Sequence, residues 1–180
     1  MNEGAVLSLV HWQNFYVIVG AAAGSLTGLQ FVVMTLLAQV RATSSMREIR
    51  AFGTPTVMHF CTALLVSALM CVPWQSTVPL AVWLGAGGVA GVIYSVSTFW
   101  HARKSSYEPD GEDWIWYAGI PLLAHTGLLT AAVMIWFGFE WSTGVIAVVS
   151  LTLLLVGIHN SWDTVTYVAV KHTRKDAGNE

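Results

Sequence analysis

The segment TGVIAVVSLTLLLV (143–156) runs without a break into GIHNSWDTVTY (157–167). Together they are long enough to cross a bilayer as one helix, which takes about 20 residues. His159, Asn160 and Asp163 appear before such a helix has left the lipid. An ionisable side chain at the bilayer centre costs about 2.5–3.5 kcal/mol on insertion scales. A chain that keeps such groups must pair them inside the protein or use them. The stretch therefore reads as a membrane span with a polar centre.

Composition points the same way. The chain has 180 residues, 55% of them hydrophobic and only 10% charged, whereas soluble domains carry about 25% charged residues. So few charges cannot cover a water-facing surface, but lipid can do the covering. The net charge of −2 and the lack of a basic cluster with interleaved aromatics argue against a nucleic-acid partner. The N-terminus, acidic at Glu3 and without a basic leader, is expected to hold no cleavable signal. Cys61 and Cys71 lie on one apolar run, roughly 15 Å apart along a helix. That is too far for a bridge, and both are expected to be reduced and buried.

Hydropathy divides the chain into one all-α domain, 1–180, with spans at about 14–40, 54–72, 79–101, 114–137 and 143–170. Gly20, Gly24 and Gly28 give the first span a flat face, and Gly85, Gly87, Gly88 and Gly91 do the same for the third. Such faces let helix backbones approach closely, either within one chain or across a homo-oligomer seam. A homo-oligomer is expected on that basis. Thr54 is placed to cap the second helix with Pro55 at its first position. Pro121, after Gly119, is expected to kink the fourth. The polar segment 104–113 holds Glu108, Asp110, Glu112 and Asp113, whose spacing does not match a calcium loop. Its carboxylates suit the positive end of the fourth helix instead. No internal repeat is visible.

Charge predicts the orientation. The eight Lys and Arg residues are Arg41, Arg47, Arg50, Arg103, Lys104, Lys171, Arg174 and Lys175. With five spans, all of them share one side, and the positive-inside rule makes that side cytoplasmic. The N-terminus is then outside and the C-terminus inside. Trp12, Trp74, Trp83, Trp136 and Trp141 mark the outer interface, and Trp100, Trp114 and Trp116 the inner one, as amphipathic rings prefer.

Helical spacing sorts the polar residues of the fifth span into two stripes. His159, Asp163 and Thr166 form one; Asn160, Thr164 and Tyr167 form the other. Asp163 lies roughly 10 Å from the inner end of the helix, and His59 of the second span falls at nearly the same level. Gln30, Tyr94, Ser95, Ser97, Tyr117 and His125 lie at comparable or slightly greater depth. The expectation is a polar pocket in the inner half of the bundle, open or nearly open to the cytoplasm. Asp163, His159, His59, Asn160, Trp162, Tyr167, Gln30 and His125 are its candidate residues. A metal would need three or four ligands, for which His59, His159, Asp163 and His125 are candidates. Two histidines on separate helices could alternatively hold a haem axially. No cofactor follows from the sequence.

The segments NFYVIVG (14–20), FGTPTVMHF (52–60) and GIHNSWDTVTY (157–167) resemble those of a group of small bacterial inner-membrane proteins with no assigned activity. The resemblance covers most of the chain. It implies a bacterial inner membrane and supplies no reaction. Three functions then stand open: a small channel or transporter for a proton or cation, an intramembrane enzyme acting on a lipid-like substrate, and a membrane subunit without chemistry.

The orientation is directly testable. A cysteine introduced after Lys175 is expected to react with an impermeant thiol reagent only once the inner membrane is broken. One introduced near Asn2 should react in intact cells. The reverse labelling would invert the topology.

Overall fold

A bilayer offers backbone groups no partners, so a spanning chain must satisfy them internally as helices. Among the described residues, the protein does so across every span. In a computed structural model, the structure describes the backbone of residues 3–40, 46–103 and 111–176, and side chains over 10–35, 54–100, 103, 111–112 and 114–166. The elements are α1 (Glu3–Val40), α2 (Met46–Cys71), α3 (Thr77–Arg103), α4 (Gly111–Trp114), a π-turn (Ile115–Gly119), α5 (Ile120–Trp136) and α6 (Ser142–Asp176). Among the described residues, five segments are long and apolar enough to cross a membrane: Val10–Thr35, Thr54–Cys71, Thr77–Trp100, Ile115–Trp136 and Ser142–Thr166. These coincide with the five spans expected from hydropathy.

Two helix boundaries differ from the sequence reading. Helix α2 begins at Met46, so Pro55 lies inside it rather than at its first position. Helix formers Met46, Arg47, Glu48 and Ala51 carry the helix ahead of the proline. Helix α3 begins at Thr77, with the Val78 amide donating to Ser76 Oγ at 3.3 Å, so Ser76 is the cap and Pro79 falls in the first turn, where a missing N–H costs nothing. The kink expected at Pro121 takes the form of the π-turn just before it, closed by the Ile120 amide donating to Ile115 O. A π-turn absorbs an extra residue where proline blocks the regular ladder.

Two chain reversals among the described residues are tight. Trp74 Nε1 donates to Leu69 O at 2.7 Å, folding the ring back over the end of α2. Gly138, at φ 78°, ends α5: its amide donates to Ile135 O and that of Phe139 to Met134 O. This pairing needs a left-handed residue, a conformation glycine adopts without strain.

Helix α6 is the hub, packed against α1, α2 and α5; α1 also pairs with α2, and α3 with α5. The interior holds Tyr16, Phe60, Leu80, Leu84, Leu128, Ile146 and Leu153, all essentially inaccessible. Tyr16 donates its hydroxyl to Thr143 O at 3.0 Å, tying α1 to the start of α6. The outside is as apolar as the inside: Ile18, Ile93, Leu123 and Val148 are each more than 60% exposed. In water that surface would aggregate; hydrocarbon matches it.

Glycines supply the closest helix contacts. A methyl group on Gly20 would sit 3.1 Å from Ser67 Cβ, and one on Gly24 3.9 Å from Leu64, both on α2. Gly85, Gly87, Gly88 and Gly91 face α5 in the same way, and Gly157 on α6 lies under the Phe60 ring. Gly28 has open space around it. Most of the glycines that suggested a homo-oligomer are thus occupied within one chain. Cys61 is exposed rather than buried and Cys71 is half-buried; both are free thiols. Residues 41–45 and the 104–110 part of the polar segment lie outside the described residues, as do the side chains of the basic tail.

Gly157→Ala is expected to lower the melting temperature in detergent, because the added methyl overlaps the Phe60 ring; overpacking of this kind costs about 1–3 kcal/mol. Gly28→Ala, with room around it, should be neutral or gain up to about 1 kcal/mol in helix propensity. Equal effects at the two positions would contradict the packing described.

Candidate functional site

Many hydroxyl groups of the spans are satisfied within their own helix, although Ser67 Oγ is buried without a partner. Thr27, Thr62, Thr98, Thr126, Thr130, Ser150, Thr152 and Thr164 each donate to the carbonyl four residues earlier, at 2.8–3.0 Å. Imidazoles and amides have more polar atoms than such a bond can satisfy. It is these groups that the packing leaves exposed to one another.

His59 is 2% accessible, and neither of its ring nitrogens has a hydrogen-bond partner. Its position on α2, with Phe60 and Ala63, turns it into the bundle. The ring facing it is that of His125 on α5, with centroids 6.2 Å apart and planes at 39°. His125 Nδ1 lies 2.7 Å from Pro121 O and 3.3 Å from Ser95 Oγ. A carbonyl only accepts, so Nδ1 carries the proton and the lone pair of the neutral ring is at Nε2. Gly91 makes room for this ring, since a β-carbon there would overlap it. His59 and His125 thus form a buried imidazole pair braced by α3.

A second buried polar group lies on α6. Asn160 is fully buried, and both atoms of its amide lack partners. Next to it, the single Ser161 O–H is shared between Gln30 Oε1 at 3.0 Å and Gly157 O at 2.8 Å, while Gln30 Nε2 is left unpartnered. Gly157, one turn before Asn160, meets Phe60, the neighbour of His59. Gln30, His59 and Asn160 thus leave buried polar atoms unpaired on three helices that pack against one another. An unmet buried polar group costs about 1–3 kcal/mol, which makes such a set expensive unless it is used.

The structure separates His159 and Asp163 from these groups. His159 Nε2 approaches Asp163 Oδ2 to 3.2 Å, with side chains 24% and 39% accessible. The approach is not aligned as a hydrogen bond, for His159 Nε2 has none. The His159 ring stacks on Trp116 of the π-turn at 3.9 Å. Trp162 is 69% exposed, and the Tyr167 side chain lies outside the described residues. The expected convergence of His59 with His159 and Asp163 is thus not found. Of the two stripes on α6, Asn160 and Thr164 turn inward and His159 and Asp163 lie at the flank. Among the described residues, no three His, Cys, Asp or Glu side chains are placed to share a metal ion.

Between α3 and the π-turn runs an apolar groove of about 620 Å³, bounded by Ser95, Phe99, Trp100, Trp114, Gly119 and Arg103. Arg103 stacks over Phe99 at 5.0 Å, and Phe99 packs against Trp114 at 4.9 Å. Sequence reading ranked Asp163 above His125 and treated Trp116 only as an interface marker. Nothing in the spacing of α2 and α5 signals that His59 and His125 meet; only the packing of Gly91 reveals why they can.

No protein family, curated protein or solved structure matches the chain.

Two substitutions separate the buried group from the flanking pair. Asp163→Asn is expected to shift thermal stability by less than about 1 kcal/mol, as a partly exposed His–Asp contact contributes little. Asn160→Leu should leave the protein as stable or more so, because it replaces unpaired amide atoms by apolar ones of similar shape. Marked destabilisation by Asn160→Leu, read from melting curves, would mean that the amide has partners.

Proposed function

We propose that the protein is a multi-pass membrane protein that binds and passes a proton or small cation, with His59 as the exchanging group. The observation that carries this reading is the His59 ring: buried, unpartnered at both nitrogens, and facing a second imidazole. A histidine that only tied helices together would use its hydrogen-bonding capacity for the purpose. The Asn160 amide and Gln30 Nε2, buried and unpaired, supply further polar atoms within the bundle. In this proposal the protein sits in a bacterial inner membrane with its N-terminus outside, as its basic residues and the resemblance imply. A second copy of the chain, if one is present, would use surfaces other than the occupied glycine faces.

The groove beside Ser95 favours the alternative of an enzyme acting on a lipid-like substrate, since it is apolar and adjoins a Ser–His contact. That contact is poorly suited to catalysis. His125 Nδ1 is committed as a donor to Pro121 O, so it has no lone pair with which to activate the serine.

Reconstitution into vesicles holding a pH-reporting dye tests the transport reading. Under an imposed potassium diffusion potential, wild-type protein is expected to speed proton entry over empty vesicles between about pH 5 and 8. His59→Phe should return the rate to the empty-vesicle baseline, and Asp163→Asn should not. Wild-type vesicles no faster than empty ones would remove the proton from the proposal.

A further inference from the structure

We propose that His59 and His125 bind one monovalent metal ion of the copper(I) type, held between α2 and α5 by one nitrogen from each ring. This rests on the reading of the imidazole pair as an ion site and names the class of ion. The separation suits it. A metal–nitrogen bond is about 2 Å, so two imidazoles on opposite sides of one ion have centroids about 6 Å apart; the observed distance is 6.2 Å.

The tautomers suit it as well. Metal-ligating histidines characteristically donate the other ring N–H to a carbonyl or carboxylate, which orients the ring and raises its basicity. His125 does this through Nδ1 to Pro121 O at 2.7 Å, leaving Nε2 as the donor atom. His59, bonded at neither nitrogen, presents a lone pair in either neutral tautomer. Gly91 and Ser95 hold the His125 ring in place from α3.

Ligand count and charge select the ion. Calcium and magnesium demand six or more oxygen ligands, and zinc sites close with four nitrogen, sulfur or oxygen ligands. Here there are two neutral nitrogens, and among the described residues no third His, Cys, Asp or Glu joins them. The cost of burying an ion rises with the square of its charge, so neutral ligands in a low-dielectric interior favour a single charge. A filled-shell monovalent ion such as copper(I) is stable with two ligands in line, and imidazole is an accepted copper ligand. The site is therefore fitted to a two-coordinate ion.

The test is anaerobic titration of the detergent-purified protein with copper(I) against a chromophoric copper(I) chelator, followed by X-ray absorption at the copper edge. Wild-type protein is expected to take up one equivalent with two-coordinate nitrogen ligation. His59→Phe should bind at least about a hundredfold more weakly, with an unchanged melting temperature, and His159→Gln should bind as wild type does. His125→Gln should match His59→Phe; if it does not fold, His59→Phe alone decides. Copper bound equally well by His59→Phe, no copper bound by wild type, or a haem spectrum lost on His59→Phe would each overturn the proposal. No copper binding together with His59-dependent proton flux would overturn the metal assignment and leave the ion-transport reading intact. Copper binding without proton flux would uphold the metal site and confine the transport reading to the cation.

Discussion

Close approach of helix backbones at glycine is the constraint on which this bundle depends. In hydrocarbon, helices gain little by hiding apolar side chains from lipid, and association rests on packing and on interhelical hydrogen bonds. Gly157 admits the Phe60 ring between α6 and α2, and Gly91 admits the His125 ring between α3 and α5. Each contact brings in a ring that a methyl group would exclude. Each also lies next to one of the buried polar groups, so the packing that holds the bundle together also places the site.

Polar groups in the spans fall into two kinds. Many serine and threonine hydroxyls are satisfied by their own helix through the carbonyl four residues back, as at Thr126 and Ser150, while the buried Ser67 Oγ is not. That solution needs no neighbour and says little about function. His59, Asn160 and Gln30 carry atoms for which neither their own helix nor its neighbours supply partners.

The carboxylate tells the opposite story. Asp163 is the one acidic side chain well inside a span, and its cost in lipid marks it as the first suspect. Its side chain is 39% accessible and sits beside His159 on the flank of α6, rather than in the bundle interior. Trp116 covers the opposite side of His159 by stacking. The pair forms a partly exposed polar flank, distinct from the buried imidazole pair.

The sequence by itself determined the class of the protein. Five apolar runs, a deficit of charge and helical periodicity are local properties, and lipid allows a long apolar run little besides a helix. The spacing of His159 to Asp163 and of Asn160 to Thr164 was legible too, because positions four apart share a face in any helix. The tertiary structure decided which face of α6 turns inward, and with it the exchange of roles between Asp163 and Asn160. It also decided that His59 meets His125 rather than His159. Those outcomes depend on the rotation and tilt of whole helices, set by contacts such as Gly91 with His125 and Gly157 with Phe60. Residues that meet across such contacts are far apart in the chain, and no spacing rule connects them.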